Sequence, residues 1–293
     1  MTEPRVDPTR IRDHVQRLGD RHPPIDLDAA DYSLRNPRLV RDRFGEVLEY
    51  MARVEMEVER NVLELAVLLP AVSETDRQFY ADVWGPQEEH HGILLDTLGQ
   101  RLGMAAATPN LGPVPAQVRV LGALAHLPVV HEIIRLLYYL TGAATEKSAM
   151  LAYQAMSSEL GELGETAVKE SVIDAIKVQE PGHFAFYRLS ALEMVQAGAL
   201  APWQLYLARF LRSRTFGLVG AKTPEQRAGF GGVLVNLGME DDIDRSLRDI
   251  VRVETQLLWA HEQGLAVPAY ALASFREAVE LYRARGQQLG LAA

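Results

Sequence analysis

Two Glu-x-x-His pairs, Glu88 with His91 and Glu180 with His183, carry metal-ligating side chains at helical spacing. On a helix, positions i and i+3 share a face, so each pair can offer a carboxylate and an imidazole to one ion. The apolar stripe around the first pair runs Trp84, Glu88, His91, Leu95, Leu98, Leu102, and around the second Ile173, Ile176, Glu180, His183, Tyr187, Met194. Both pairs stand where leucines stand. A carboxylate buried without a partner is costly, so a paired or metal-bound state is expected. Two earlier acids complete a repeated layout: Glu146 precedes Glu180 by 34 residues and Glu55 precedes Glu88 by 33, with Glu59 as the alternative to Glu55 or as an acid behind it. Four carboxylates and two imidazoles form the donor set of carboxylate-bridged di-iron or di-manganese sites, and their charge balances two divalent ions.

The segments carrying these residues read as helical throughout, because no two adjacent runs alternate strictly across a hairpin turn. The fold class read from the pattern is all-α. Long helices are predicted over 38–69 (stopping at Pro70), 73–102, 129–158 and 166–197, well beyond the usual length of about 11–12 residues. Such lengths suit a four-helix bundle. Residues 1–37 read as an N-terminal arm with a short helix over 8–18, 104–115 as a loop, 116–126 as a short helix, and 198–293 as a helical annex of the same domain. Gly85-Pro86 and Pro181-Gly182 are expected to bend their helices. The stripe of Glu46, Tyr50, Arg53, Glu57, Arg60 and Glu64 reads as a solvent face, and Glu159, Glu162 and Glu165 as a solvated face or turn. Trp84 and Tyr187 read as packing residues, His90 as lying beside the ligands or at the surface, and His126, His131 and His261 as ordinary polar contacts. Gly142, Ala143 and Ala144 are expected to leave room for a substrate beside Glu146.

Composition narrows the chemistry. The 293 residues include no cysteine, which excludes disulfides, iron–sulfur clusters and thiolate nucleophiles. A net charge of −9 without any Lys/Arg block argues against nucleic acid as a partner. No charge-free apolar run reaches about 18 residues, so no membrane span is expected. The opening Met1-Thr-Glu-Pro-Arg lacks an apolar signal segment, and a cytoplasmic location is expected.

The run Trp84-Gly-Pro-Gln-Glu88-Glu-His-His91-Gly92 resembles the second-helix motif of the ferritin-like di-iron carboxylate superfamily, closest to its acyl-ACP desaturase-like branch. That motif reads Trp, three residues, then Glu-Asn-Arg-His-Gly. Glu88 and His91 fall on its ligands, Glu89 on its asparagine and His90 on its arginine, while Glu180 and His183 fall on the fourth-helix pair. Over residues 38–197 the resemblance implies a ferritin-like four-helix bundle holding two iron ions, with manganese as the alternative metal. It implies a non-haem oxidase or oxygenase that uses O2 to desaturate or hydroxylate a C–H bond of an acyl or other organic substrate, free or on a carrier protein. Electrons would come from an external reductase or ferredoxin, and a homodimer is compatible. An acidic carrier would need a basic patch, for which Arg209, Arg212 and Arg214 are the candidates. N-oxygenation or another tailoring oxidation of a small metabolite fits the same ligands. A non-catalytic ferritin-like protein that binds metal or lipid is the remaining reading.

Overall fold

Caps and prolines set most of the helix starts. Asp7 caps α1 (Pro8–Arg21) by accepting from the Thr9 amide. Ser73 and Asp76 form a reciprocal capping box at the start of α4 (74–101), and Pro128 opens α6 (Pro128–Glu162). The structure, a computed structural model, describes residues 6–69 and 72–288, and the expected stop at Pro70 and the opening Met1–Arg5 segment lie outside them. Among the described residues all regular structure is helical. The remaining helices are α2 (Pro37–Glu55), α3 (Val58–Leu68), α5 (Ala116–Ala125), α7 (166–196), α8 (Pro202–Thr215), α9 (Pro224–Asn236), α10 (Ile243–Ile250), α11 (252–263) and α12 (Ala269–Gln288). No helix is long and apolar enough to cross a membrane among the described residues.

Two expectations are corrected. The single helix over 38–69 is broken at Met56 and Glu57, directly after Glu55, although no glycine or proline marks the break. Its cause is tertiary. A Cβ on Gly92 of α4 would lie 2.6 Å from Met56 Cγ and 3.0 Å from the Met56 amide nitrogen, so the α2–α3 turn seats against a bare backbone. The stripe from Arg53 to Glu64 is not a solvent face either. Glu57, Arg60 and Glu64 are buried in a network with Arg53–Glu57 at 2.6 Å, Arg60–Glu64 at 2.8 Å and a Lys222–Glu64 pair. The loop amide of Asn110 and the carbonyl of Gly220 close over it.

Helix α2 lies along α4 and α6 along α7, while α8, α9 and α10 pack on the outside of these pairs. The apolar interior forms two clusters. One holds Val40–Ala52, Leu94–Leu102, Ala144–Leu160 and Val168–Ile176 with the annex from Leu218 to Val251 and around Phe275; the other holds Leu65, Leu69, Phe79–Trp84, Ile133–Ala143 and Phe186–Met194 with α1 and the annex residues Leu200, Ala208, Val253 and Leu258. On α4 and α7 the two clusters are separated by the Glu-x-x-His pairs, Glu88–His91 and Glu180–His183.

Candidate metal centre

Each motif helix carries a wide π-helical turn just before its ligands, Phe79–Trp84 in α4 and Lys169–Ile173 in α7. Gly85 fits the first, since its amide bonds the Tyr80 carbonyl where a Cβ would come within 2.6 Å of that oxygen. Such turns shift the register of everything downstream and recur at functional sites. Helix α7 then runs unbroken through Pro181. A side chain on Gly182 would overlap Leu18, and the Gly182 carbonyl accepts from His14 Nε2 at 2.9 Å, so the Pro-Gly step is where α1 docks.

Glu55, Glu88, His91, Glu146, Glu180 and His183 converge and are all buried, the two histidines completely. They form two donor groups that share Glu88: Glu55, Glu88 and His91, and Glu88, Glu146, Glu180 and His183, with the offered atoms of each group within 4.8 Å of one another. Glu59 is exposed and outside both groups.

Each imidazole is aimed by a glutamine that no charge in the sequence marks. His91 Nε2 lies 2.8 Å from Gln179 Oε1, and His183 Nε2 lies 2.6 Å from Gln87 Oε1. Gln179 Nε2 donates to the Pro23 carbonyl at 2.7 Å, and Gln87 Nε2 to that of His22. Because those carbonyls can only accept, each amide oxygen must face its histidine, and each Nε2 must carry the hydrogen. The Nδ1 lone pairs therefore face inward. His183 Nδ1 is 2.8 Å from Glu88 Oε1, and His91 Nδ1 is 3.3 Å from Glu180 Oε1. The signal was present as a repeat, Gln-Glu-x-x-His at 87–91 and again at 179–183.

Burial is the largest cause holding the Glu88, Glu146 and Glu180 carboxyls well above the usual range, followed by the charge of Glu55 on Glu88 and Glu180 and of Glu180 on Glu146. Burial also lowers His91 and pushes His183 far down, so both imidazoles are neutral. Glu88 Oε1, both Glu180 oxygens and both Nδ1 atoms have no hydrogen-bond donor. A knot of bare acceptors is what a cation would occupy, and neutral imidazole with carboxylate is a fitting donor set for divalent iron or manganese. Two donors brace the rim: Tyr153 Oη gives a 2.7 Å bond to Glu55 Oε1, and Trp84 Nε1 a 3.2 Å bond to Glu146 Oε1. Trp84 thus touches a candidate ligand rather than serving packing alone.

A cavity of about 60 Å³ borders Glu55, Glu88 and Glu146, and a second of about 50 Å³ shares Thr145, Ala149 and Val219 of its wall. Gly142 lines the first cavity beside Glu146, with the Tyr187 ring close against it, while Ala143 and Ala144 are packed in the two apolar clusters. Other residues also differ from expectation. Glu165 is buried and accepts from the amides of Arg35 and Asn36 at 2.8 and 2.7 Å. Arg212 is buried against Glu254 at 2.7 Å, Arg209 pairs with Glu262 and Arg214 lies over Phe210, so the three do not form a free basic patch. His90 donates from Nδ1 to the Ile25 carbonyl at 2.7 Å. Compared with protein-family models, curated proteins and solved structures, the chain matches none.

Proposed function

We propose that these six residues hold two divalent metal ions and that the chain is an oxidase of the ferritin-like di-iron carboxylate class acting on a small organic substrate. The observation that carries this reading is the convergence of bare buried acceptors on one point, with neutral imidazole lone pairs among them and no donor to satisfy them. Protonation alone could fill such a site, but only by keeping several carboxylic acids buried at a cost that two cations remove. The repeat of acid and Glu-x-x-His on helix pairs α2–α4 and α6–α7 supports the four-helix ferritin-like architecture.

Iron in this donor set supplies reaction with dioxygen, and manganese would bind the same atoms. The chain does the rest. Glu55 and Glu146 are held by Tyr153 and Trp84, and the apolar clusters on either side keep water from the site. Glu55, Glu88 and Glu146 open onto the cavity, where Asn61 and Thr145 offer polar contacts and Val54, Val58, Ala149 and Val219 an apolar wall. Its volume, about 60 Å³ with about 50 Å³ beside it, suits a few non-hydrogen atoms. That size favours a small metabolite, oxidised at C–H or N–H, over an acyl chain. Electrons come from a separate reductase or ferredoxin in this reading.

Metal analysis of the purified protein tests it. Two ions per chain are expected, lost in Glu88→Ala, and the anaerobic ferrous protein should change its near-ultraviolet absorption on exposure to air. Negligible metal overturns the reading. Bound metal with no response to air removes the oxidase and leaves a metal-binding protein.

A further inference from the structure

The segment His22-Pro-Pro-Ile25 is chemically unusual beside a buried site. Its two prolines lack N–H groups, so the segment is a strip of carbonyls with few donors of its own. Three of those carbonyls are used in one direction. His22 accepts from Gln87, Pro23 from Gln179 at 2.7 Å, and Ile25 from His90 at 2.7 Å. The segment is fixed at both ends. His14 Nε2 bonds the Gly182 carbonyl on one side, and on the other Asp31 exchanges bonds with Ser171 while Glu165 takes the Arg35 and Asn36 amides.

The consequence reaches the ligands through a crossed pair of relays. Gln87 stands on α4 but orients His183 of α7, and Gln179 stands on α7 but orients His91 of α4. Freed from its carbonyl, either amide could turn end for end and present NH2 to the imidazole. The imidazole would then accept at Nε2, move its hydrogen to Nδ1, and point a donor instead of a lone pair at the carboxylates.

We propose that the His22–Ile25 strip is a main-chain clamp that, through the positioning residues Gln87 and Gln179, fixes both histidines in the tautomer able to bind metal. The N-terminal arm is then a component of the metal centre, and its docking and metal binding are coupled. This rests on the metal reading above. Neutral amides in these places also leave the imidazoles uncharged, which keeps the charge of four carboxylates matched to two divalent ions.

The test compares wild type with Gln87→Met and Gln179→Met, which keep side-chain length and remove both hydrogen bonds, and with Pro23→Gly/Pro24→Gly, which alters exposed residues only. Mn2+ and Co2+ affinities are measured by titration calorimetry, and histidine tautomers in the metal-free protein by ring nitrogen NMR. Losing a bond that orients a metal-binding histidine typically lowers affinity about 10–100-fold. Each Met variant should show such a loss, with ring nitrogen shifts at His91 in Gln179→Met and at His183 in Gln87→Met. The strap variant should shift both histidines and weaken binding in the same direction. Wild-type affinity within threefold in all three variants, with unchanged tautomers, overturns the clamp. If a Met variant does not fold, the strap variant decides by the same criteria. Wild type that binds neither metal overturns the metal reading instead, which the same titration separates.

Discussion

His183 Nδ1 lies 2.8 Å from Glu88 Oε1, and neither atom has a hydrogen-bond donor. With His183 neutral and its hydrogen on Nε2, that contact needs a cation or a shared proton between the two atoms. Metal and protons therefore compete for the same acceptors.

Metal binding near neutral pH should release protons. Glu88, Glu146 and Glu180 are raised above the ordinary 4.5, so protons they retain in the metal-free fold must leave. Calorimetric titration in buffers of different ionisation enthalpy reads this directly, and zero release would contradict it. The sign for stability follows. Acids raised in the fold stabilise fully below about pH 4.5 and lose that contribution as pH rises, whereas the lowered histidines lose theirs as pH falls below 6.5. Above pH 6.5 only the carboxylate slope remains of these two, so the Tm of the metal-free protein should fall as pH rises, and saturating metal should remove the fall.

Glu88→Gln should abolish binding at both positions, since both donor groups use Glu88. The same change relieves like-charge crowding, so the metal-free Tm should rise, as is common when a strained functional site is dismantled. Glu59→Ala, at an exposed position, should leave metal stoichiometry unchanged and alter stability by no more than about 0.5 kcal/mol.

Gly92→Ala should cost about 1–3 kcal/mol by overpacking the α2–α4 contact. The added Cβ meets Met56 and comes within 3.3 Å of the Glu55 carbonyl carbon, so it also displaces a candidate ligand. Urea denaturation gives the first effect. Weaker binding at the Glu55 position gives the second, and unchanged metal content would show that Glu55 can be moved freely.

Arg212→Ala should destabilise by about 3–5 kcal/mol, because Glu254 would be left buried without its partner. The double change Arg212→Met/Glu254→Leu should recover most of that loss in the same thermal melts. A single variant within error of wild type would mean that water reaches the pair.

Much of the architecture was legible because helix periodicity, caps and prolines act locally. Ser73–Asp76, Pro128 and the stripe of leucines that follows His91 each state their element without reference to anything distant. The same stripes exposed Glu88, His91, Glu180 and His183, since a charged group in a leucine register signals a partner. Gln87 and Gln179 escaped notice because an amide beside a stripe carries no charge and reads as surface until its partners across the fold are known. The charged residues from Arg53 to Glu64 misled for a related reason: their local ion pairs are covered and completed by Asn110, Gly220 and Lys222, far away in sequence.

Side-chain order alone dictates helical elements without thiol chemistry, and a repeated carboxylate–imidazole pattern on helix faces that must be buried. These follow from side-chain type and the fixed periodicity of the helix. Three-dimensional packing is what brings Glu55 and not Glu59 to the cluster, shares Glu88 between two donor groups, and sets beside each histidine a glutamine from the opposite helix that also bonds a carbonyl of the N-terminal arm. Those outcomes depend on where α2 breaks against Gly92 and on where the His22–Ile25 carbonyls come to rest, and long-range packing sets both.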